Sequence, residues 1–253
     1  MRWFTFVRCS FIFALAFGFV ASASAQATKT EVKKKEVAKK PESATIPAPR
    51  TGPWMNRHET HLERVKPGNA ELIFIGDSIT QGWEGSGKEV WERYYGERKA
   101  VNLGIGGDRT QHVLWRLENG EVKGIKPKAA VVMIGTNNLS ANSPDEIVQG
   151  VTEIIKSLRD KLPTTKILLL AIFPRGAEPT NPSRDKIKAI NAKIAKLADD
   201  KHVVYLDIAS TFLKPDGTLT KEIMPDFLHL SSLGYRLEAD AIEPTLWKLL
   251  NDK

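Results

Sequence analysis

Five short runs of valine, isoleucine, leucine and alanine constrain the fold of this chain more than any other feature. They occupy residues 71–75, 100–102, 129–134, 166–172 and 203–206. Strands that are buried on both faces of a sheet have this nearly continuous apolar character. Stretches with helical periodicity alternate with the runs, at 88–95, 110–118, 145–161, 184–199 and 233–250. The alternation predicts an α/β fold, with helices covering both faces of a five-stranded parallel sheet.

The first 25 residues have the pattern of a secretory signal peptide. Arg2 and Arg8 precede an apolar stretch at 11–20, and the small residues of ASA follow at 23–25. A positive start, a short apolar middle and a small-x-small end are typical of a cleaved signal. We therefore expect cleavage after Ala25 and export to the periplasm or the outside of the cell. An uncleaved N-terminal anchor is the alternative.

The next segment, residues 26–50, is rich in lysine and proline and contains no aromatic residue. Such a composition predicts a disordered linker, because it cannot bury enough apolar surface to offset the entropy of ordering. A basic arm that contacts an anionic envelope surface is the other interpretation. Residues 1–50 carry nine basic and three acidic side chains, so the predicted domain at 51–253 has a net charge of +1, against +7 for the whole chain. This nearly neutral domain gives no indication of nucleic acid binding.

Polar residues follow the predicted strands at the points where each strand ends. Ser78 follows the first strand in GDS, Gly104 follows the second, and Asn137 follows the third in GTN. Each of these groups is by itself a common turn sequence. In a parallel sheet, however, the carboxyl ends of the strands meet at one edge, where ligands bind. A serine nucleophile there needs a base, a carboxylate that orients the base, and donors for the developing oxyanion.

His229 is the predicted base, because it follows Asp226 by three residues and one turn can bring the carboxylate against its ring. The pair comes after the last predicted strand, and Asp226 is the predicted orienting carboxylate. NRHETH is too short to match the HExxH zinc pattern, and GIGGDR does not match the dinucleotide-binding pattern GxGxxG. We therefore expect neither a metal nor a cofactor. The other histidines are assigned to a solvated turn or helix (His58, His61), to a packed or surface position (His112) and to the opposite edge of the sheet (His202).

These residues resemble the blocks of the SGNH or GDSL hydrolase family. The blocks occur in order as FIGDSIT, VNLGIGGD, IGTNN and DFLHL. Three longer segments, among them GIGGDRTQHVLWRLENGE, are similar to the catalytic subunits of intracellular platelet-activating factor acetylhydrolase. The resemblance implies a flavodoxin-like three-layer α/β/α fold and metal-free hydrolysis of small esters by Ser78, His229 and Asp226. It also implies an oxyanion hole made by the N–H groups of Ser78 and Gly104 and the side-chain amide of Asn137.

The sequence thus predicts an exported serine esterase that removes short acyl groups, with acetyl esters of carbohydrates or related small molecules as the preferred substrates. A lysophospholipase or thioesterase, or a phospholipid acetylhydrolase, is the alternative enzyme. An envelope polymer-binding module on a hydrolase scaffold is the alternative outside enzymes. The expected partners are a small-molecule or glycan ester and, through the basic segment, an anionic envelope surface. The sequence is compatible with a homodimer.

Overall fold

A five-stranded parallel sheet lies at the centre of the chain in the computed structural model, which describes residues 43–199 and 201–251. The predicted signal peptide and most of the predicted linker lie outside the described residues. The strands are β1 (Leu72–Gly76), β2 (Ala100–Gly104), β3 (Ala129–Met133), β4 (Lys166–Leu170) and β5 (Val203–Leu206). Their order across the sheet is β2-β1-β3-β4-β5. This is the flavodoxin-like order, in which the winding reverses between β1 and β3, and it confirms the predicted fold class.

Helices connect the strands and cover the sheet on both faces. In the described part of the chain they are α1 (Pro53–Val65), α2 (Ser78–Gln81), α3 (Lys88–Tyr95), α4 (Thr110–Glu118), α5 (Pro144–Lys161), α6 (Pro182–Ile194) and α7 (Ser232–Asn251). Within these residues, no helix is both long enough and apolar enough to cross a membrane.

Two apolar cores form because neighbouring side chains of a strand point to opposite faces. In β1, Ile73 and Ile75 pack with buried residues of α4, α5 and α6 on one face. Leu72 and Phe74 pack on the other face with α7 and a cluster of aromatic rings. Every residue of β1 is buried. The sheet is therefore the middle layer of a three-layer sandwich, and its chemistry is confined to the strand ends.

The register of the central strands places three strand ends side by side. Gly76, the last residue of β1, lies opposite Gly104 of β2 and Met133 of β3. Both glycines are needed where they occur because the backbones approach closely. A Cβ atom on Gly76 would lie 2.5 Å from the Met133 carbonyl oxygen, and one on Gly104 would lie 2.7 Å from the Thr80 carbonyl carbon. The loops after β1, β2 and β3 thus begin from adjacent positions.

The predicted boundary between linker and domain is too late in the sequence. Residues 43–50 are part of the packed structure, because Ala44 is buried and its carbonyl accepts a 2.7 Å hydrogen bond from the Thr110 hydroxyl. Arg50 donates a 2.8 Å hydrogen bond to the Gly106 carbonyl. Backbone and side-chain hydrogen bonds therefore fix a segment whose composition predicts a solvated spacer.

The prediction of a solvated position for His58 and His61 is wrong. Both lie on the buried side of α1, with exposed fractions of 3% and 0%. His61 Nδ1 is 2.8 Å from a carboxylate oxygen of Glu121. The buried residues of α1 also include Trp54 and Val65, and this spacing along the helix was the signal of an amphipathic element.

Candidate active site

Ser78 is the first residue of α2, and one residue, Asp77, separates it from the end of β1. The Asp77 side chain caps this short helix, because its Oδ1 atom accepts a 3.0 Å hydrogen bond from the Ile79 N–H. A second bond runs from the Gln81 N–H to the Asp77 carbonyl, at 2.8 Å. These contacts hold the turn tightly and leave Ser78 partly exposed at the carboxyl edge of the sheet.

The structure brings together the three residues that the sequence predicts as a catalytic triad. Ser78 Oγ lies 2.8 Å from His229 Nε2, although 151 positions separate the two residues. His229 Nδ1 lies 2.6 Å from Asp226 Oδ2. The serine, imidazole and carboxylate therefore form one chain of hydrogen bonds, with the nitrogen that faces the serine free to accept its proton.

A tight turn positions the histidine. Asp226 Oδ1 accepts hydrogen bonds from the backbone N–H groups of Leu228 (3.1 Å) and His229 (2.7 Å). Phe227, which directly follows Asp226, has the left-handed φ of 59°, which is uncommon for a residue with a Cβ atom. Its carbonyl accepts a 2.9 Å hydrogen bond from the Gly176 N–H, which ties the turn to the loop after β4.

Asp226 remains a carboxylate in this setting. Partial burial opposes its ionisation, but hydrogen bonds from the side chain and the backbone of His229 outweigh that effect and hold the pKa of Asp226 below its usual value. An ionised Asp226 can fix the orientation of His229 and stabilise the imidazolium that forms when the ring accepts a proton.

Gly104 does not offer a free donor for an oxyanion. Its N–H donates a 2.8 Å hydrogen bond to the Asn102 side chain, which in turn donates to the Thr80 carbonyl. The position of Gly104 at the end of β2 suggested the donor role, but the side chain two residues earlier occupies this N–H. The sequence contained a signal for this contact, since asparagine side chains often bond a backbone N–H two residues on.

One N–H of the loop after β2 has no protein acceptor among the described residues, and it belongs to Gly107. Gly107 has a φ of 76°, which glycine adopts readily. Gly107 is therefore the remaining candidate in this loop for a backbone oxyanion donor. The neighbouring N–H groups all have acceptors. The Ile105 N–H donates to the Gly76 carbonyl, the Gly106 N–H donates to Gln81 Oε1, and the Asp108 N–H donates to the Ile105 carbonyl.

Asn137 lies beside this loop and beside the serine turn. Its amide nitrogen donates a 2.9 Å hydrogen bond to the Asp108 carbonyl and lies 3.3 Å from Asp77 Oδ2. Asp77 directly precedes Ser78 in the sequence, so the Asn137 amide lies next to the turn that carries the serine. The loops after β1, β2 and β3 thus meet at this amide.

Asp77 is a buried acid that sequence reasoning left without a role. Burial raises the pKa of its carboxyl to about 7, and the nearby Asp108 contributes to the rise. Its two oxygens accept from the Ile79 N–H and face the Asn137 amide. Asp77 thus links the turn that carries Ser78 to the loop after β3.

A buried cluster of charged residues supports the loop after β2. Arg116 is fully buried and donates to Asp108 Oδ2 at 2.9 Å, to the Leu103 carbonyl at 2.9 Å and to the Glu121 carboxylate. Burial opposes ionisation of Glu121, but the attraction of Arg116 and the hydrogen bond from His61 hold its pKa below the usual range. The Trp54 indole N–H donates to Asp108 Oδ1 at 2.6 Å. The charges of this cluster are therefore paired with one another.

The remaining histidines lie away from the triad. His112 is buried, as one of the two expected alternatives, and its Nδ1 accepts a 3.0 Å hydrogen bond from the Arg109 N–H. His202 immediately precedes β5, at the amino end of that strand, as predicted. Among residues 43–199 and 201–251, no group of three or more histidine, cysteine, aspartate or glutamate side chains is arranged to hold a metal ion.

Comparisons with known proteins agree with this geometry. Residues 74–237 match the model of the GDSL-like lipase/acylhydrolase family. The chain is 38% identical over 200 residues to the platelet-activating factor acetylhydrolase IB subunit alpha1 of Homo sapiens, covering 79% of this chain and 85% of the relative.

Two solved structures share the fold at lower sequence identity. A GDSL-like lipase from Bacteroides thetaiotaomicron has a TM-score of 0.61 at 19% identity, covering 76% of this chain and 97% of that one. A variant of an acetyl xylan esterase from Geobacillus stearothermophilus has a TM-score of 0.57 at 18% identity, covering 73% and 95%. With the family match and the alpha1 relative, these findings show that the chain belongs to the GDSL-like lipase/acylhydrolase family and is a carboxylic ester hydrolase.

Proposed function

We propose that the protein is a serine esterase that removes acetyl groups from carbohydrates or related small alcohols through an acyl-enzyme intermediate on Ser78. The observation that carries this proposal is the continuous hydrogen-bond chain from Ser78 Oγ through His229 to Asp226, at 2.8 and 2.6 Å. Nucleophile, base and orienting carboxylate lie within reach of one another, as acyl transfer requires.

The proposed reaction proceeds in two stages. Ser78 Oγ attacks the ester carbonyl carbon while His229 Nε2 takes the hydroxyl proton, and the Asp226 carboxylate stabilises the imidazolium. The intermediate collapses, the carbon–oxygen bond to the alcohol breaks, and His229 returns the proton to the departing alcohol. Water then attacks the acetyl-enzyme with His229 again acting as base, which releases acetate and restores Ser78.

The developing oxyanion requires hydrogen-bond donors that can be directed at it in the transition state. We assign this role to the N–H groups of Ser78 and Gly107 and to the Asn137 amide. Two amide hydrogens of Asn137 face the Asp108 carbonyl and Asp77 Oδ2, so one of these contacts must be shared with the oxyanion. The contact with Asp77 is the longer of the two, at 3.3 Å, and is the weaker one to give up.

Preference for the acetyl group is supported by the names of similar proteins. The 38%-identical relative is an acetylhydrolase, and one structural neighbour is an acetyl xylan esterase. The alternatives with longer acyl groups are distinguished by turnover of p-nitrophenyl esters of increasing chain length. We expect kcat/KM to be highest for acetate and to decrease from butyrate onward. Higher kcat/KM for octanoate than for acetate would favour the lysophospholipase or thioesterase alternative.

The decisive experiment for the mechanism is substitution of the nucleophile. Ser78→Ala removes one oxygen from a partly exposed position and should leave the fold intact while abolishing hydrolysis of p-nitrophenyl acetate and labelling by a fluorophosphonate. The matched control is Ser86→Ala, another serine of the same segment, which should retain both. Equal hydrolysis by wild type and a folded Ser78→Ala variant would show that Ser78 is not the nucleophile.

We also propose that residues 1–25 are a cleaved signal peptide and that the mature protein is exported. The proposal rests on the charge and hydropathy pattern of the N-terminal sequence. Mass spectrometry of the protein purified from its native cell fractions tests it. A mature chain that begins at Gln26 in an exported fraction is expected, and a full-length chain confined to the cytosol would contradict the proposal.

A further inference from the structure

A cavity of 410 Å³ opens beside Asn137, and the two charged side chains that line it are both cationic. Its walls come from the turn after β3, the loop after β4 and the first turn of α6. The charged side chains are Arg175 and Lys186, and none of the described residues that line the cavity is acidic. The cavity therefore has a positive character that the proposed cleavage of a neutral acetyl ester does not require.

Arg175 has unused hydrogen-bonding capacity. It is half-buried, and one of its terminal nitrogens lies 3.4 Å from both the carbonyl oxygen and the hydroxyl oxygen of Thr136. These distances are long for a hydrogen bond. Within the described part of the chain, no carboxylate forms an ion pair with Arg175, although a guanidinium carries five N–H donors. Burying a charge without a partner costs free energy, which an anionic ligand would recover.

Lys186 holds the opposite wall and adds a second positive charge. Its Nζ atom donates to the Leu139 carbonyl and, at 2.6 Å, to the Asn142 carbonyl, so it fixes the turn after β3 to α6. Glu146 interacts electrostatically with Lys186, but this carboxylate is already bonded to the hydroxyl and the N–H of Ser143. The amino end of α6 also faces the cavity, and the helix dipole makes that end attractive to anions.

A third cation, which contacts the loop after β2, differs in this respect. Arg50 Nη1 donates to the Gly106 carbonyl and lies 3.6 Å from Asp108, a buried carboxylate. Its charge is compensated within the protein, whereas the charges of Arg175 and Lys186 are compensated by no side chain that lines the cavity. Of these three cations, Arg175 and Lys186 are thus available to a ligand.

Asn137 borders this cavity and also belongs to the proposed acyl site. One face of this residue lines the cavity, while its amide lies 3.3 Å from the Asp77 side chain, directly before Ser78. An ester whose carbonyl lies against the Asn137 amide can extend its alcohol portion into the cavity toward Arg175. The acyl group remains on the side of Ser78 and His229.

We propose that this cavity binds an anionic group on the alcohol portion of the ester substrate, with Arg175 as the principal specificity-determining residue. The inference rests on the proposed function and narrows its substrate class to acetyl esters of alcohols that carry a carboxylate or a phosphate. Both groups have the paired oxygens that a guanidinium binds with two parallel hydrogen bonds.

Matched small esters test the proposal and distinguish the two anions. The carboxylate pair is 3-acetoxypropionate and 3-acetoxypropionamide; the phosphate pair is 2-acetoxyethyl phosphate and 2-acetoxyethyl methyl ether. We expect wild type to hydrolyse the charged member of at least one pair with a kcat/KM about 10–100-fold above that of the neutral member, the range of a charge-assisted contact. The pair with the larger ratio identifies the anion.

The Arg175→Gln variant should reduce this ratio to near one by lowering the kcat/KM of the charged ester far more than that of the neutral one. Arg175→Lys should retain part of the ratio. The control is Lys188→Gln, which removes the same charge from an exposed position of α6 outside the cavity and should keep the wild-type ratio. Ratios near one for wild type in both pairs, or an equal loss on both members in Arg175→Gln, would overturn the proposal.

A binding measurement separates failure of this inference from failure of the proposed function. Inorganic phosphate and propionate are titrated calorimetrically into the Ser78→Ala variant, which needs no turnover. At least one of the two anions should bind to the Ser78→Ala variant. The double variant, which also carries Arg175→Gln, should not bind it. Absence of hydrolysis of every ester by wild type would contradict the proposed function alone, whereas active enzyme without anion binding would contradict the anion site alone.

Discussion

The indole N–H of Trp54 donates a 2.6 Å hydrogen bond to Oδ1 of Asp108, and both side chains are buried. Trp54 belongs to α1, which precedes the first strand, whereas Asp108 directly follows Gly107 in the loop after β2. The Asp108 carbonyl in turn accepts the hydrogen bond from Asn137. The N-terminal helix therefore fixes the loop that carries one proposed oxyanion donor and orients another.

We expect Trp54→Phe to lower both stability and activity. The substitution retains an aromatic ring but removes the N–H, which leaves Asp108 with one buried oxygen deprived of its donor, at a cost of about 1–3 kcal/mol in the free energy of unfolding. Urea unfolding and kcat with p-nitrophenyl acetate measure the two effects. The control is Trp247→Phe, since Trp247 is 58% exposed. Equal stabilities of the two variants would contradict the proposed support.

Removal of the central cation of the buried cluster should have a larger effect. Arg116→Met leaves Asp108 and Glu121 buried without the guanidinium that pairs them, and breaking such a pair on one side typically costs about 3–5 kcal/mol. Urea or thermal unfolding measures the loss. Replacing Glu121 by Gln in the same chain should recover part of it, because one unpaired charge is removed. No recovery in the double variant would show that packing, and not charge, dominates.

Asn137→Ala should affect the rate without removing the nucleophile. Loss of one oxyanion donor typically lowers kcat by about 10²–10³-fold. Ser78 and His229 remain in place, so slow labelling by a fluorophosphonate should persist, in contrast to Ser78→Ala. Complete loss of labelling in a folded Asn137→Ala variant would indicate that this side chain positions Ser78 and does not act only on the oxyanion.

Much of the fold was predictable from the sequence because parallel strands buried on both faces have a distinctive composition. The five apolar runs identify the five strands within two residues at each end, and helical periodicity identifies the helices between them. The triad residues were also predictable, because the residues that follow parallel strands converge at one edge of the sheet. Ser78 and His229 lie in hydrogen-bonding distance for that reason.

The supporting contacts were not predictable, because they depend on pairings between distant segments. Nothing in the local sequence around Arg50 indicates that it bonds the Gly106 carbonyl 56 positions later. The buried His61 likewise pairs with Glu121, which lies 60 positions later in the chain, after β1 and β2. The position of Gly104 at the end of a strand predicts a free donor, whereas the structure shows that the Asn102 side chain accepts from this N–H.

Arg50 yields a prediction about the segment before α1. Arg50→Gln removes a hydrogen bond to the loop that contains Gly107 and a nearby positive charge from Asp108. A looser loop positions the oxyanion donor less well, so kcat should decrease by roughly tenfold with a smaller change in KM. Arg159→Gln is the control, because Arg159 also bonds two backbone carbonyls, but at the end of α5 on the opposite edge of the sheet. A similar loss of kcat in both variants would contradict a local effect.

Glu238 of α7 should make the stability of the protein decrease with rising pH. The residue is 3% exposed, and its Oε2 atom has no hydrogen-bond partner within the described residues. Burial raises the pKa of its carboxyl from 4.5 to about 8. Between these two values the unfolded chain has lost the proton while the folded protein retains it. Folding must therefore bind a proton, and its contribution to stability falls progressively from about pH 4.5 to pH 8.

Glu238→Gln should remove this dependence, because the amide cannot ionise and has nearly the same shape. Each pKa unit corresponds to 1.36 kcal/mol. The rise in the pKa of Glu238 from 4.5 to about 8 therefore limits the gain in the free energy of unfolding of the variant over wild type to about 5 kcal/mol at pH 8. The gain should be small at pH 4.5. Urea unfolding of both proteins at several pH values measures it. Glu153→Gln, at an exposed position of α5, controls for the loss of one negative charge and should follow wild type. A stability difference between Glu238→Gln and wild type that stays constant across this pH range would show that Glu238 is ionised in the folded protein at all of these pH values or is paired with a group that titrates alongside it.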